Sequence, residues 1–217
     1  MVMTRPTDPD RLVSLRITQD SIRVQLMEAA IDRLAWDFCA QLDRAKIVYA
    51  IIGGYVAILL GRPRESEDVD LFSEPLRFDA FAALHRKLTT RYDCLTPGSA
   101  RRLFDDYLSA GSESTSVRYA RRGTFYPNIE FKFAGKPLDR RALRKRISVD
   151  ANGERICIGP LEEMIAFKLW MGSPKDFEDA RWIYRAAKEV LHEPTIWTTA
   201  EDLGVSERQG RRVLGGR

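Results

Sequence analysis

The 217-residue sequence has few of the residues from which disulfide, zinc and histidine-based sites are built. Its three cysteines, Cys39, Cys94 and Cys157, are odd in number and far apart, so a disulfide framework and a Cys-x-x-Cys zinc site are excluded. The two histidines, His85 and His192, are isolated from each other, which argues against histidine-rich metal sites and Ser-His-Asp chemistry. A metal ion bound by this chain would therefore have carboxylate ligands.

Long apolar runs are also missing. No run approaches the ~20 residues that a membrane-spanning helix needs. Residues 1–20 are polar, contain acids as well as bases, and lack the apolar stretch of a signal peptide. With 44% hydrophobic and 30% charged residues, the composition is that of an ordinary globular protein. These features predict a cytoplasmic protein without a membrane partner.

Positive charge is concentrated in one segment. The net charge of the chain is +4, but residues 118–146 carry ten Lys or Arg against only Glu130 and Asp139, a local charge of +8 that leaves the remainder at −4. Such a concentration predicts a polyanionic partner such as RNA. The structural alternative is a solvated helix face after Pro137.

The spacing of apolar residues predicts a mixed α/β region followed by helices only. Helices are predicted over about 20–45, 55–60, 76–90, 138–146, 161–171 and 174–190, with two short ones near the end. Strands are predicted over 46–52, 68–72 and 128–133, and in a hairpin of 147–149 and 155–158 around Asn152-Gly153. We therefore expect an α/β core with an N-terminal helix over 1–159 and a C-terminal helical region over 160–217.

Two aspartates share one face of a predicted strand. Asp68 and Asp70 are two residues apart, so their Cα atoms are about 6.8 Å apart at a rise of ~3.4 Å per residue. Val69 and Leu71 point the other way, into a core. Two carboxylates on an exposed face repel each other unless a cation lies between them. Mg²⁺, which prefers oxygen ligands and retains waters and substrate phosphates, is the predicted ion, with Mn²⁺ as an alternative.

A third acid, Glu130, lies on the polar face of the predicted strand 128–133. If that strand lies beside the strand of Asp68, three carboxylates converge. Such a trio can hold two metal ions ~3.5–4 Å apart during in-line phosphoryl transfer. Glu113 is the alternative third acid, and an ion pair of Glu130 with Lys132 or with nearby arginines is the structural alternative.

Gly53 and Gly54 separate a buried strand from a helix. Glycines at a helix start let backbone N–H groups approach a phosphate closely, and the helix dipole favours an anion there. The alternative is a tight turn without a ligand.

The order of these motifs resembles the signature of the nucleotidyltransferase superfamily, of the DNA polymerase beta type. The resemblance is carried by Ile52-Gly53-Gly54, a spacer of thirteen residues, and Asp68-Val69-Asp70-Leu71. Phe167-Lys168-Leu169 and the stretch from Ser173 to Ala180 resemble helical motifs of the abortive-infection (AbiEii-type) toxin branch. The match covers roughly residues 46–190.

The resemblance implies an α/β (α+β) nucleotidyltransferase fold with a mixed central sheet flanked by helices. It also implies roles for individual residues: Asp68, Asp70 and Glu130 in binding two Mg²⁺ ions and in catalysis, Gly53, Gly54 and Ser66 in binding the nucleotide, and Lys168 and Asp179 in triphosphate contact or catalysis. For Asp179 the structural alternative is a helix pair with Lys175. For Lys168 the alternative is a side chain that extends into solvent.

For two neighbouring features we favour an interpretation without a role in binding or catalysis. Ser173, Pro174 and Asp176 are typical of a helix start, with an N-cap, a first-turn proline and a capping-box acid. Arg62 and Arg64, on the loop before Asp68, could contact phosphates, but arginines in loops usually have no specific role.

The resemblance implies an enzyme that transfers a nucleoside monophosphate from an NTP to an acceptor such as RNA, for example a tRNA end. A toxin with a cognate antitoxin is a further expectation. The alternatives are a catalytically inactive nucleotide- or nucleic-acid-binding module on the same fold, and a DNA-binding regulator. The latter would use residues 200–214, which resemble a helix-turn-helix, although a terminal helical cap is the interpretation we favour.

Overall fold

The computed structural model of the chain describes residues 11–18, 20–110 and 115–215. Its strands are β1 (Leu12–Ile17), β2 (Ser21–Leu26), β3 (Tyr49–Ile52), β4 (Asp68–Ser73), β5 (Tyr92–Cys94), β6 (Val117–Arg121), β7 (Asn128–Phe133), β8 (Ile147–Ala151) and β9 (Glu154–Ile158). Its helices are α1 (Ala30–Arg44), α2 (Gly54–Leu59), α3 (Phe78–Leu88), α4 (Ala100–Arg102), α5 (Pro137–Arg144), α6 (Leu161–Met171), α7 (Pro174–Ala187), α8 (Glu193–Asp202) and α9 (Glu207–Gly215). A π-helix, Leu103–Leu108, continues α4.

The described strands form one mixed sheet in the order β1-β2-β8-β9-β3-β4-β7-β6-β5. In its centre β3 runs antiparallel to β4, and Ile52 is opposite Asp70. On the other side of β4, β7 runs parallel to it and Glu130 is opposite Asp70. The expected mixed sheet is thus confirmed, and β7 does lie beside the strand of Asp68.

The main core covers one face of this sheet. Val69 and Leu71 on β4 and Phe131 on β7 are fully buried there, as their alternation with polar residues predicts. Phe38 of α1 packs on Phe131 with ring centroids 6.3 Å apart. On the opposite face a small second cluster forms where α5 packs Leu143 onto β3 and β4. The rest of that face is where the acids of β4 and β7 project.

The predicted helix over 20–45 is wrong in its first part. Residues 21–26 form β2 instead, and helix α1 begins only at Ala30. The sequence Ser-Ile-Arg-Val-Gln-Leu alternates polar and apolar residues, and its apolar side chains are buried while its polar ones are exposed. Met27, the first residue after β2, is 55% exposed. Residues 21–26 therefore follow the strand period of two, and the helical period of 3.6 begins only with α1, whose apolar face is buried.

Other elements lie where the sequence predicts them. The bounds of β7 and α6 match the prediction, and Asn152 and Gly153 form the hairpin turn between β8 and β9 with φ angles of 52° and 88°. Beyond β9, the described residues contain α6 to α9 and no strand, as the predicted change near residue 160 requires. The helices contact the core, since Trp182 Nε1 donates to the Leu60 carbonyl at 3.0 Å. Division into a domain over 1–159 and a region over 160–217 stays a prediction.

None of the helices within the described ranges is both long and apolar enough to cross a membrane.

Candidate active site

Three acids project from neighbouring strands on the face of the sheet away from the main core. Asp68 and Asp70 lie on β4 and Glu130 on β7, and each is half-buried while the residues between them are buried. Asp70 and Glu130 are directly opposite each other in the strand register. We call Asp68, Asp70 and Glu130 the carboxylate cluster. The structure thus brings together the three acids that the sequence singled out.

The two glycines lie against this cluster. Gly53 has a φ of +75°, and a Cβ at this position would lie 2.5 Å from Asp70 Oδ2. A Cβ at Gly54 would lie 2.8 Å from Nη2 of Arg64. Both positions therefore need glycine for space, and Gly53 needs it for its backbone conformation as well. The backbone between β3 and α2 is in consequence directly beside the carboxylate of Asp70.

A lysine lies between two members of the cluster. Lys132 Nζ is 3.4 Å from Asp70 Oδ1 and 3.3 Å from Glu130 Oε2. Burial raises the pKa of Asp70 above its usual value, and the nearby charges of Glu130 and Asp68 raise it further, while Lys132 opposes the shift. Keeping Asp70 ionised in this environment costs free energy, and a bound cation would reduce that cost.

Glu130 has more partners than either aspartate. Arg118 Nη2 donates to Glu130 Oε1 at 2.5 Å, and Ser116 Oγ donates to Oε2 at 3.1 Å. Burial alone would raise the pKa of Glu130, but the positive charges of Lys132 and Arg118 and the hydrogen bond from Ser116 hold it below its usual value. The ion-pairing alternative for Glu130 is therefore present in the structure. Glu113, the other candidate for a third acid, lies outside the described residues.

Asp68 and Asp70 are suited to hold part of a Mg²⁺ coordination shell. Over the described ranges, no three or more His, Cys, Asp or Glu side chains are grouped so as to hold a metal ion on their own. Mg²⁺ does not require such a group, because it is commonly bound by one or two carboxylates together with substrate phosphates and water. Asn128, opposite Asp68 in the register, adds a buried Oδ1 without a hydrogen-bond partner in the described part of the chain. The oxygen donors fit Mg²⁺, and their role as ligands stays a prediction.

A second group of charged residues lies on the other side of Gly53 and Gly54 from the carboxylate cluster. Asp179 of α7 is completely buried and accepts two hydrogen bonds from Arg64 Nη1, at 2.8 and 3.0 Å. It also pairs with Arg62 and, at 2.9 Å, with Lys168 Nζ. Two more acids complete the group, since Asp176 contacts Lys168 at 2.7 Å and Glu178 pairs with Arg62. We call these six residues the Asp179 hub.

The hub settles several alternatives left open by the sequence. Lys168 is 11% exposed and turns toward Asp176 and Asp179 and not into solvent, so the solvent alternative does not hold. Asp179 pairs with Lys168 and with the arginines of the loop before β4, and not with Lys175 as the structural alternative had it. Arg62 and Arg64 are anchored specifically, contrary to our expectation for loop arginines. Contacts between residues about 115 positions apart leave no local pattern, so no signal in the sequence pointed to them.

Ser66 connects the hub to the carboxylate cluster. Its hydroxyl donates to Asp68 Oδ1 at 3.2 Å and accepts from Arg64 Nη2 at 3.4 Å. The expected site residues therefore form one connected set, in which Lys168 and Asp179 reach the cluster through Arg64 and Ser66. Ser173 caps α7, because its hydroxyl accepts from the backbone N–H of Asp176 at 3.2 Å, as predicted.

Comparison with known proteins agrees with this geometry at the level of the fold. Neither a protein-family model nor a curated protein matches the sequence. A solved structure of an antigenic nucleotidyltransferase-like protein from Paracoccidioides brasiliensis matches 86% of this chain and 93% of its own, at 18% identity and a TM-score of 0.55. The antibiotic-resistance factor ANT(2'')-Ia matches 82% of this chain and 93% of its own, at 13% identity and a TM-score of 0.52.

The chain has a nucleotidyltransferase-like fold. The fold expected from the glycine and aspartate motifs is thereby confirmed, while membership of the abortive-infection branch stays a prediction.

In this nucleotidyltransferase-like fold the C-terminal tail packs on the neighbouring helices, as the favoured interpretation of a helical cap expects, while DNA binding stays an untested alternative. Gly210 of α9 packs so closely that a Cβ there would lie 2.7 Å from the ring of Trp197. Leu214 is buried in the main core. Arg211, which a groove-reading helix would present to DNA, lies over the Trp197 ring at 4.7 Å and pairs with Glu207 and Glu193.

The basic segment 118–146 runs through β6, β7 and α5 of the fold. Eight of its ten cations are exposed, and Lys132 and Arg141 are partly buried. Some are paired, such as Arg141 with Glu163. The loop between β6 and β7 adds Phe125 and Tyr126, which are 72% and 62% exposed. The loop leads into Asn128, so these aromatic residues lie at the Asp68 end of β7.

Proposed function

We propose that the chain is a nucleotidyltransferase that transfers a nucleoside monophosphate from an NTP to an acceptor hydroxyl. In this reaction the acceptor oxygen forms a bond to the α-phosphorus, the bond from that phosphorus to the bridging oxygen breaks, and pyrophosphate leaves. The hydroxyl proton passes to a base or to water. Mg²⁺, or Mn²⁺, would be held by Asp68 and Asp70, with Glu130 as the third acid, and would neutralise the charge that develops on the phosphoryl oxygens.

The observation that carries this proposal is the placement of Asp70 against Gly53. The Oδ2 atom of Asp70 is so close to the backbone of residue 53 that no side chain fits between them. A triphosphate bound along Gly53-Gly54 would thus have its phosphates beside the carboxylates. Asp68 is accessible on the same strand face, and Arg64 adds a positive charge next to Gly54.

We further propose RNA as the acceptor. The exposed cations of residues 118–146 lie on elements that flank the carboxylate cluster, and positive charge of this density attracts a polyanion. The exposed rings of Phe125 and Tyr126 add surfaces on which unpaired bases can stack, a common feature of single-strand binding.

The deciding experiment is a label-transfer assay. The purified chain is incubated with each α-³²P-labelled NTP, Mg²⁺ and total cellular RNA, with the Asp70→Asn chain and an EDTA-treated sample as blanks. We expect label in RNA and release of pyrophosphate with at least one NTP, and neither product in the blanks. Label in protein would contradict RNA as the acceptor, and no transfer to either would contradict the enzyme.

One observation favours a second candidate, a module on the same fold that binds NTP or RNA without catalysis. Lys132 already supplies a positive charge between Asp70 and Glu130, where an enzyme would need a metal ion. This candidate predicts NTP or RNA binding that is independent of Mg²⁺ and gives no labelled product.

The resemblance to abortive-infection proteins adds a biological proposal, that the chain is a toxin neutralised by an antitoxin. We expect its expression to arrest growth and Asp70→Asn to abolish the arrest. Normal growth with active enzyme present would remove the toxin role and leave the transferase intact.

A further inference from the structure

The place of Lys132 on strand β7 puts its side chain on the same face of the sheet as Glu130, so its position beside the cluster does not depend on side-chain flexibility alone. Lys132 is two residues beyond Glu130 on β7, so both side chains leave the same face about 6.8 Å apart at the ~3.4 Å rise. In the register with β4, Lys132 is opposite Phe72, one pair beyond Leu71. Its ammonium turns back toward the cluster and lies within 3.4 Å of Asp70 and Glu130.

Glu130 has little capacity left for a metal ion. Its Oε1 accepts from Arg118 at 2.5 Å, while Oε2 accepts from Ser116 at 3.1 Å and is 3.3 Å from Lys132. The side chain is 12% exposed, so solvent and substrate have little access to it. Both of its oxygens are thus committed to protein partners.

The charge of the cluster leads to the same conclusion. Its three acids carry −3, and the contacts of Lys132 and Arg118 reduce this to −1. Two divalent ions would raise the total to +3, whereas one ion gives +1, which the phosphates of a bound NTP easily offset. Asp68 accepts a hydrogen bond from an uncharged hydroxyl, that of Ser66.

We propose that Lys132 takes the place of one of two divalent cations, so that the site holds a single ion at Asp68 and Asp70. The inference rests on the proposed nucleotidyl transfer and changes the expected number of ions from two to one. Lys132 Nζ would lie beside the acid pair of β4 and β7 as a permanent charge, while the single ion lies on the Asp68 side. Glu130 then serves as a positioning residue that holds Lys132 in place.

The test counts bound ions directly. Mn²⁺ is titrated against the full chain in the presence of a non-hydrolysable NTP analogue, with bound metal measured after equilibrium dialysis and Mn–Mn coupling by EPR. We expect a total of one Mn²⁺ per complex of native chain and analogue, after correction for the Mn²⁺ on free analogue in protein-free controls, and no coupling of two ions at the protein site. In Lys132→Met we expect a second site-bound ion, with the spectrum of a coupled pair.

Two variants keep the outcome interpretable. Lys132→Arg retains the positive charge and should bind as many ions as the native chain even if Lys132→Met is unstable. Lys87→Met, on α3 away from the cluster, removes the same charge and should change nothing. A coupled pair in the native chain, an unchanged count in folded Lys132→Met, or a second ion in Lys132→Arg would each overturn the proposal.

The ion count is independent of the label-transfer assay. One bound ion without transfer would support this inference and contradict the enzyme, whereas transfer with two bound ions would do the reverse. Absence of any site-bound Mn²⁺ would overturn the single-ion site whatever the transfer assay gives.

Discussion

The carboxylate cluster and the Asp179 hub are both built from acids and cations, but they differ in burial and in charge balance. In the hub, three acids meet three cations, and the central side chain, Asp179, is fully buried. In the cluster, three acids meet Lys132 and Arg118, and all three remain half-buried. The hub is therefore neutral and its centre is closed to solvent, while the cluster keeps a negative charge that a ligand can reach.

This difference separates two roles that the sequence could not distinguish. Buried charge is tolerated only where it is paired, so the hub holds α7 and the loop before β4 in fixed positions. An unbalanced, accessible group of acids does not stabilise the fold, and it is retained where it binds a cation. We therefore expect stability to depend on Asp179 and activity to depend on Asp70.

Asp179→Asn tests the structural half of the comparison and should have the largest effect. Asparagine preserves the shape but leaves Arg64 and its neighbours without their buried counter-charge. Removing one partner of a buried ion pair costs about 3–5 kcal/mol. We expect the free energy of unfolding, measured by urea denaturation, to fall by about that amount.

Glu178→Gln is the matched control for the hub. Glu178 pairs with Arg62 as well, but its side chain is 60% exposed. An exposed pair contributes ~0–1 kcal/mol, so this variant should unfold almost as the native chain does. Equal losses in the two variants would show that burial of Asp179 does not set the effect.

Asp70→Asn tests the chemical half. Loss of a ligand that stabilises transition-state charge should lower the rate of nucleotidyl transfer by about 10²–10³-fold, as removal of one such group typically does. Stability should stay the same or rise, because the carboxylate is held among other acids at a cost. Steady-state kinetics and urea denaturation on the same preparation would measure both. A folded variant with native activity would remove Asp70 from the chemistry.

Much of the carboxylate cluster could be predicted, because the residue spacing that places its acids lies within single strands. The alternation of β7 placed Glu130 on the polar face, and the Asp-x-Asp spacing placed Asp68 and Asp70 together. Whether β7 lies beside β4 was not local information, and the sequence left it as a condition that the sheet order now meets. Even the pairing of Glu130 with Lys132 could be named as an alternative, since the two residues share a strand face.

Two features, the hub and the antiparallel pair of strands β1 and β2, could not be predicted from the sequence, and the reasons are physical. Arg64 and Asp179 meet only after the sheet and the helical region have packed, so neither neighbourhood in the sequence reveals the contact. In β2, exposed polar residues alternate with buried apolar ones over six positions, which is the pattern of a strand. Only three residues separate the end of β2 from the start of α1, and the predicted helix was extended too far toward the N-terminus.

Gly53→Ala probes the contact between the loop and the cluster and should have an intermediate effect. Alanine at φ +75° and ψ −151°, a region occupied almost only by glycine, costs about 1–3 kcal/mol, and its Cβ must displace the carboxylate of Asp70. Gly153→Ala is the control, because Gly153 has a φ of +88° but no atom within 4 Å of the added Cβ. Gly53→Ala should lose at least as much stability as Gly153→Ala. Only Gly53→Ala should lose transfer activity, by tenfold or more at ~1.4 kcal/mol per factor of ten.

Ser66→Ala should have the smallest effect. It tests whether the carboxylate cluster and the Asp179 hub influence each other. Ser66 links them only through hydrogen bonds of 3.2 Å to Asp68 and 3.4 Å to Arg64, each worth about 1 kcal/mol or less. If this link orients Asp68, Ser66→Ala should reduce the transfer rate by a few-fold while the free energy of unfolding changes by less than ~1 kcal/mol. Combining it with Glu178→Gln, which touches only the hub, should then give additive changes in stability. Non-additive changes would mean that the hub and the cluster are one energetic unit, and the comparison between them would no longer hold.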